Sequence, residues 1–459
     1  RPRWRACVPG LLVLACACRD PSPVVARSPL ALAPEEAAPS DYGSIIDATA
    51  LPWAKETASP RWDSSAALRL PGCVAYERPL SQVAAAIAAA KARGAPTAEL
   101  SEVGVLLRAL GGPHVWPRVW TLEARDLDRE RVGEQWASWA TREPAVGERR
   151  CGTALVERAD GSTIIAAVLV DVLADLAPVP MRARVGQWLQ VDARLLAAAH
   201  QAELSLLGPE GAPRLVPGTL RAGSFRAVFS ADRPGFWRLQ LLLDMGPGPR
   251  PALEAWVFVD LEPDLAEVTR AAPGAEVVVP ADASLDVLRA ALSRRIDAAR
   301  RADGLPSLRR DAALDALAQA HATAMAARGR TAHDVGDGAP AERLARAGVV
   351  ARRIGENVAR APSLERAHRV LWDSPSHRGN ILDPSFDALG LGVARAAGDL
   401  WVCELFADRR GMVADAIPPA EEPTSRSAGL DLVRVDGVAV YRAQHRAAGA
   451  SSAGSSPVE

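Results

Sequence analysis

One order of elements, helices followed by a β-hairpin, occurs twice in this sequence and limits the folds open to it. In the first occurrence, helical patterns precede two β-rich runs, 153–156 and 162–170, that flank Asp160-Gly161, a strong hairpin signal. In the second, helical patterns precede a hairpin turned at Gly398-Asp399. Between them lie short alternating runs with Gly-Pro punctuation, which predict an antiparallel β-sandwich. The chain is therefore predicted to be α+β.

Shifts in composition and pattern divide the chain into segments. We predict a signal or lipoprotein segment 1–18, a flexible tether 19–44, an N-terminal α/β domain 45–176, a β-sandwich domain 177–263, a linker 264–283, a further α/β domain 284–408 and a low-complexity tail 409–459. In the sandwich, Arg238 and Gln240 alternate with apolar residues. Because this places them on the outer face, we expect them to be solvated.

The N-terminus predicts export. A basic start leads into an apolar stretch, 6–17, which is typical of a signal peptide. The stretch ends Ala15-Cys16-Ala17-Cys18, which resembles a bacterial lipoprotein cleavage site where Cys16 or Cys18 would be acylated. The alternative is a secretory signal cleaved after Ala17. We therefore expect either a lipoprotein anchored to the cell envelope through its acylated N-terminus or an extracellular protein.

The charge balance argues against nucleic acid as a partner. Lys and Arg number 54 and Asp and Glu 55, so the net charge is −1 and there is no strong basic field. Lys occurs only at Lys55 and Lys91, a bias that we attribute to a GC-rich genome. The abundance of Arg is therefore not interpreted as a phosphate-binding signal.

The cysteines fit an oxidising compartment, which permits disulfides. Cys73 and Cys151 flank the first folded region and are the expected pair, which leaves Cys403 as a buried free thiol. No C-x-x-C pair occurs, so a structural zinc held by thiolates is not expected.

The most specific motifs lie in 284–408. In order they are Gly304-Leu-Pro-Ser-Leu308, His321, His333, Gly355-Glu356-Asn357-Val358 and Trp372-Asp-Ser-Pro-Ser-His377-Arg378-Gly-Asn380-Ile-Leu382. This set resembles the CAP superfamily (cysteine-rich secretory, antigen five and pathogenesis-related proteins), and within it the bacterial SCP-like extracellular branch. The only two Asn residues of the chain, Asn357 and Asn380, lie inside these motifs.

The resemblance implies a three-layer α-β-α sandwich with a cleft. His333 and His377 match the two histidines that line this cleft in many members, and Glu356 matches one of its two acids. Glu404 or Asp373 would stand in for the second acid. Asn357, Ser374, Arg378 and Asn380 complete the matching motifs. Because the N-terminal domain repeats the order of elements, we also predict that it is a degenerate CAP-like copy.

The chemistry of the cleft stays open at this stage. Two imidazoles and a carboxylate can bind Zn²⁺ through His333 and His377, or can hold a water molecule for general-base attack. They can equally form a structural hydrogen-bonded network. The sequence does not indicate a nucleophile with an adjacent base, so enzymatic activity is not assigned. The other two histidines of 284–408 are expected to be structural. His321 is predicted to be a core residue, and His368 a residue on the surface of a helix.

The family has been linked to lipid or sterol binding, to protease activity and to host or microbial interaction. The leading hypothesis is therefore an exported protein that binds a lipid, a protein or a metal ion through the cleft. The alternatives are a cleft-based hydrolase, with or without zinc, and a structural or adhesive surface protein with a vestigial cleft. The sequence does not indicate an oligomeric state.

Overall fold

The computed structural model describes residues 51–59, 68–95, 100–125, 127–245, 249–275, 277, 279–280, 282–411, 430–435 and 438–443. The lipoprotein motif with Cys16 and Cys18 and most of the predicted tail lie outside these residues. Helices and strands are mixed throughout, which confirms the predicted α+β class. Within the described residues, no helix has both the length and the apolar composition that a membrane span requires.

The N-terminal unit is a four-stranded sheet with helices on both sides. Its elements, with a short preceding strand, are β1 (Glu56–Thr57), β2 (Ala75–Tyr76), α1 (Arg78–Ala92), α2 (Leu100–Ala109), β3 (Arg118–Ala124), α3 (Arg129–Ala140), β4 (Glu148–Glu157) and β5 (Thr163–Val172). The strand order is β2-β4-β5-β3, and β2 pairs in parallel with β4. A disulfide joins Cys73, just before β2, to Cys151 in β4.

The central unit consists of two sheets that share one apolar core. Its strands are β6 (Ala174–Leu176), β7 (Val179–Pro180), β8 (Arg182–Ala183), β9 (Trp188–Leu195), β10 (Gln201–Leu207), β11 (Arg214–Val216), β12 (Gly218–Arg221), β13 (Ser224–Ser230), β14 (Gly235–Asp244) and β15 (Pro249–Val259), followed by α4 (Leu265–Val268). The sheets have the orders β11-β10-β14-β15-β8 and β12-β13-β9-β6. Their pairing is antiparallel, except that the two-residue strand β8 runs parallel to β15.

The C-terminal unit is a sheet between two helical layers. Its elements are α5 (Leu285–Ala302), β16 (Arg309–Arg310), α6 (Ala312–Arg328), α7 (Pro340–Arg346), β17 (Arg353–Ala361), α8 (Leu364–Asp373), α9 (Pro375–Ile381), β18 (Ala388–Ala396) and β19 (Asp399–Asp408). Helix α6 packs on one face of the sheet, and α5 and α8 pack on the other. Later in the chain, β20 (Leu430–Val435) and β21 (Val438–Ala443) form a two-stranded hairpin that is not part of this sheet.

The N-terminal and C-terminal sheets have the same topology. The C-terminal order is β16-β18-β19-β17, so in both sheets the four strands follow the spatial order first, third, fourth, second. In both, the first strand pairs in parallel with the third, and the other pairs are antiparallel. A degenerate copy of one fold requires this identity of strand order.

The register of the strands extends the correspondence to single residues. Tyr76 pairs with Cys151, and Arg310 pairs with Leu389. The next residues, Gly152 and Gly390, therefore occupy equivalent positions. A Cβ atom on Gly152 would lie 2.0 Å from the backbone of Leu80, and one on Gly390 would lie 2.2 Å from that of Leu314.

These two leucines are each the third residue of a helix, α1 and α6 respectively. In both units, a glycine in the third strand thus lets the helix that follows the first strand approach the sheet at the same point. Counting along the register in the same way places Val119 and Trp120 where the C-terminal sheet has Glu356 and Asn357. The N-terminal unit keeps the framework without the polar pair.

Two predictions of solvent exposure are wrong. Arg238 and Gln240 are 7% and 3% exposed, because the outer face of β14 packs against the C-terminal unit. His368 is fully buried, and its Nε2 lies 3.3 Å from the carbonyl oxygen of Pro273. Burial, with the nearby charge of Arg295, lowers the pKa of His368 to about 4. His321 is fully buried, as predicted.

Candidate functional site

Strand β17 lies at one end of the C-terminal sheet, with strand β21 next to it. Successive residues of a strand point to opposite faces, so Glu356 and Asn357 point to different layers. Glu356 faces the side of α6, where Cys403 Sγ lies 3.5 Å from its Oε2 atom. Asn357 faces the side of α9, where it donates to the backbone oxygen of His377 at 3.1 Å. The site is therefore assembled around the edge of the sheet.

Glu356 is a buried carboxylate with two basic hydrogen-bond partners, and His321 Nε2 lies 3.9 Å from its Oε1. Its side chain is 2% exposed, its Oε1 lies 2.9 Å from His333 Nδ1, and its Oε2 accepts a hydrogen bond from Arg343. Burial alone would raise the pKa of Glu356, but the hydrogen bond from His333 and the charge of Arg343 outweigh it and lower the pKa. An ionised carboxylate can only accept hydrogen bonds. His333 Nδ1 therefore carries a hydrogen and donates a hydrogen bond to Glu356.

His333 itself is solvent-accessible, with 44% of its side chain exposed. Since its Nδ1 is held by Glu356, the Nε2 atom is the ring nitrogen left for a ligand. A ligand-binding histidine is commonly oriented in this way by a carboxylate behind it. The pair therefore combines a buried anchor with an exposed imidazole.

His321 and Arg343 hold the segment that carries His333, both through contacts with Asp337. His321 Nδ1 lies 2.7 Å from Asp337 Oδ2, and its Nε2 lies 2.9 Å from the carbonyl oxygen of Ala332. Arg343 also contacts Asp337, at 3.4 Å. Arg343 and Asp337 were not predicted as site residues, although both lie between the two motifs that were. His321 is thus a core residue that also supports the site.

The two asparagines of the chain form a buried amide pair. Asn380 Nδ2 donates to Asn357 Oδ1 at 2.9 Å, and Asn357 is fully buried. Asn357 Nδ2 also donates to Glu404 Oε2 at 2.8 Å. These bonds tie β17 to α9, the helix that carries His377. Their role is therefore to position the site rather than to contact a ligand.

Glu404 does not line the same surface as His333. It is fully buried, it points to the α9 side of the sheet, and its Oε1 has no hydrogen-bond partner among the described residues. Burial outweighs the hydrogen bond from Asn357 and raises the pKa of Glu404 to about 7. The other candidate for the second acid, Asp373, pairs with Arg238 of the central unit at 2.9 Å. The structure therefore brings neither acid into contact with the imidazoles.

His377 is partly buried in the first turn of α9. Its Nδ1 is inaccessible to solvent and has no hydrogen-bond partner among the described residues. Burial, and next the proximity of His333, lower the pKa of His377 to about 3, so its ring is neutral. The structure thus brings the two predicted cleft histidines near each other.

The remaining motif residues have structural partners. Ser374 Oγ lies 3.2 Å from Ser376 Oγ. Arg378 stacks on the ring of Trp372 at 4.0 Å and donates to its carbonyl oxygen at 2.7 Å. Cys403 is a buried free thiol whose pKa is raised well above its ordinary value by burial and by Glu356. A thiol that is both buried and protonated is a poor nucleophile.

The donor set for a metal ion is small. Within the described residues, no three His, Cys, Asp or Glu side chains form a group that could hold a metal. His333 and His377 offer two imidazoles, whereas a catalytic zinc usually has three protein ligands. The residues present therefore do not fit a resident zinc site, and we derive no step through zinc.

Comparisons with known proteins agree with the motifs. Residues 294–405 match the model of the CAP family, described as the cysteine-rich secretory protein family. No curated protein shows a significant match to the chain.

Several solved structures resemble parts of the chain. An outer surface protein from Borrelia burgdorferi is 19% identical and covers 28% of this chain and 97% of its own, with a TM-score of 0.27. An extracellular protein containing an SCP domain from Bacillus anthracis is 16% identical and covers 48% and 81%, with a TM-score of 0.25. A cysteine-rich secretory protein from Staphylococcus aureus is 11% identical and covers 51% and 85%, with a TM-score of 0.24.

Proposed function

Because residues 294–405 are a CAP domain, we propose that the chain is an exported bacterial protein that binds a ligand at the surface formed by His333 and His377. The observation that carries this proposal is the contact between His333 and Glu356. A buried carboxylate is costly unless it is paired, and here Arg343 and His333 both compensate it. This arrangement fixes the orientation of a side chain that remains 44% exposed.

The chemistry of the two rings defines the class of ligand. Glu356 holds His333 Nδ1, which leaves Nε2 for a ligand, and His377 has a partly exposed neutral ring whose buried Nδ1 has no hydrogen-bond partner among the described residues. A ring nitrogen that carries a lone pair attracts groups that donate hydrogen bonds, such as hydroxyl, amine or amide groups. We therefore propose a hydroxyl-bearing lipid or a protein segment as the natural partner. A divalent metal ion can use the same lone pairs, but with few ligands and low affinity.

Zn²⁺ is a convenient probe of this surface because it needs no knowledge of the natural ligand. We expect weak binding of Zn²⁺ to the full chain by isothermal titration calorimetry, lost in His333→Ala and in His377→Ala. The matched control is His200→Ala, which removes an exposed histidine of the central unit. Equal binding by the wild type and both cleft variants would contradict the proposal, and so would loss of binding in the control.

A second candidate function is hydrolysis by an activated water. The same contact favours it, since a carboxylate that orients a neutral imidazole is one half of a general-base arrangement. His333 Nε2 would accept a proton from water while the water oxygen attacks an amide carbonyl carbon and the carbonyl π electrons move to its oxygen. Glu356 would stabilise the imidazolium, which would then give the proton to the leaving amine as the C–N bond breaks. Hydrolysis of fluorescent casein by the wild type, lost in both Glu356→Gln and His333→Ala, would favour this function over binding alone.

A further inference from the structure

The central unit contacts the C-terminal unit next to the helix that carries His377. Arg238 Nη1 donates to Asp373 Oδ1 at 2.9 Å, and its Nη2 donates to the carbonyl oxygen of Val268 at 2.8 Å. Asp373 is the last residue of α8, and α9 begins two residues later. The guanidinium thus links the end of α8 to the segment between the two units.

Gln240, two residues along the same strand, contacts the start of α9 directly. Its Oε1 accepts a hydrogen bond from the backbone N–H of Ser376 at 3.2 Å. The first N–H groups of a helix have no partner within the helix, and a side chain of the preceding residue often satisfies one of them. Here the N-cap residue, Ser374, makes no such bond, and Pro375 has no N–H to satisfy. Gln240 therefore supplies the cap from another unit.

The burial of these groups makes the contact specific. Gln240 is 3% exposed and Arg238 is 7% exposed. A buried donor or acceptor that loses its partner destabilises the fold, so the position of α9 relative to β14 is constrained. The residue after Ser376 is His377, and its own carbonyl oxygen is held from the opposite side by Asn357 at 3.1 Å. The backbone of His377 thus lies between a contact from each unit.

We infer that the binding surface is a two-unit site, in which Gln240 and Arg238 of the β-sandwich are positioning residues for His377. The sandwich is then more than a spacer between two CAP-like units, because it sets the separation between His377 and His333. The inference rests on the proposed function only for the importance of His377. The placement of its ring can be measured on the ligand-free protein.

The test is a comparison of histidine ring signals by NMR. In two-dimensional ¹H–¹³C spectra of the full chain at fixed pH, we expect Gln240→Leu to shift the His377 Hε1–Cε1 signal. The signal of His200, an exposed histidine of the central unit, should stay in place. Arg238→Met should also shift the His377 signal.

A control separates positioning from general loss of stability. Leu189→Ala removes a buried side chain from the other sheet of the sandwich, and should destabilise it without moving the His377 signal. An unchanged His377 signal in Gln240→Leu would overturn the inference, and so would an equal shift in Leu189→Ala. Failure of Zn²⁺ to bind would leave this result intact and would count against the proposed function alone.

Discussion

The carboxylates of Glu356 and Glu404 point to opposite faces of one sheet, and their surroundings give them opposite ionisation tendencies. Glu356 has two basic partners, which lower its pKa, whereas Glu404 receives one hydrogen bond from the neutral Asn357 and has its pKa raised to about 7. Only Glu356 contacts an exposed imidazole. The C-terminal unit therefore has one acid at its binding surface and one in its core.

The first prediction concerns pH and Glu404. Its pKa is about 7 in the folded protein and about 4.5 in the unfolded chain, so between these values the folded state binds more protons. Its contribution to the free energy of unfolding therefore falls as pH rises from 4.5 to 7. The free energy of unfolding of Glu404→Gln, relative to that of the wild type, should therefore rise by on the order of 3 kcal/mol between pH 4 and pH 8. Urea unfolding of both proteins at each pH measures this difference.

This comparison isolates one group, because other titrating residues are common to both proteins. Gln retains an oxygen that can accept the hydrogen bond from Asn357 Nδ2. A difference in stability that does not change with pH would contradict the raised pKa of the buried Glu404.

The second prediction concerns the charge partner of Glu356. Arg343→Met removes the guanidinium partner of the buried carboxylate, and should destabilise the C-terminal unit by roughly 3–5 kcal/mol. Adding Glu356→Gln removes the uncompensated charge and should recover part of the loss. The control is Arg352→Met at an exposed position, expected to change stability by less than about 0.5 kcal/mol. Denaturant midpoints distinguish the variants, and an Arg343→Met midpoint equal to that of the control would be inconsistent with this account.

The third prediction tests the equivalence of the two sheets. Gly152→Ala and Gly390→Ala each place a Cβ atom against helix backbone, and each should cost roughly 3 kcal/mol or more. Gly104→Ala, in the middle of α2 with open space around it, should instead stabilise by up to about 1 kcal/mol. Thermal unfolding measures all three. Tolerance of Ala at only one of the two strand glycines would show that the units are not packed alike.

The fourth prediction concerns the proposed anchor. If Cys16 or Cys18 becomes the mature N-terminus, a bacterial host should incorporate radiolabelled palmitate into the protein. Single Cys16→Ser and Cys18→Ser variants identify which cysteine is used. Labelling that persists in the double variant would rule out acylation at these positions, and its absence from the wild type would favour a plain secretory signal.

The C-terminal fold was predictable because its motifs are specific and ordered. The separated motifs around His333, Glu356 and His377 identify a framework whose strand order then follows. The repeat of helices before a hairpin likewise predicted the shared topology of the two outer units. Their detailed equivalence, such as that of Gly152 and Gly390, depends on strand register, which sequence patterns do not specify.

Some features of the site could not be predicted because they depend on contacts between distant segments. Arg343 has no distinguishing pattern, and its role appears only when α7 lies beside β17. Gln240 alternates with apolar residues as a solvated residue would, and a second unit covers it. Glu404 was one of two stand-ins for the second cleft acid, yet its position in the strand directs it to the other face.

The most direct test of the account is the tautomer of His333, measured by long-range ¹H–¹⁵N NMR correlations. The account predicts a proton on Nδ1, a free lone pair on Nε2, and perturbation of Nε2 when Zn²⁺ is added. Glu356→Gln should weaken this preference, because a neutral amide no longer requires a donor. A proton on Nε2 in the wild type, or signals that do not respond to Zn²⁺, would contradict the central claim that Glu356 orients His333 for binding.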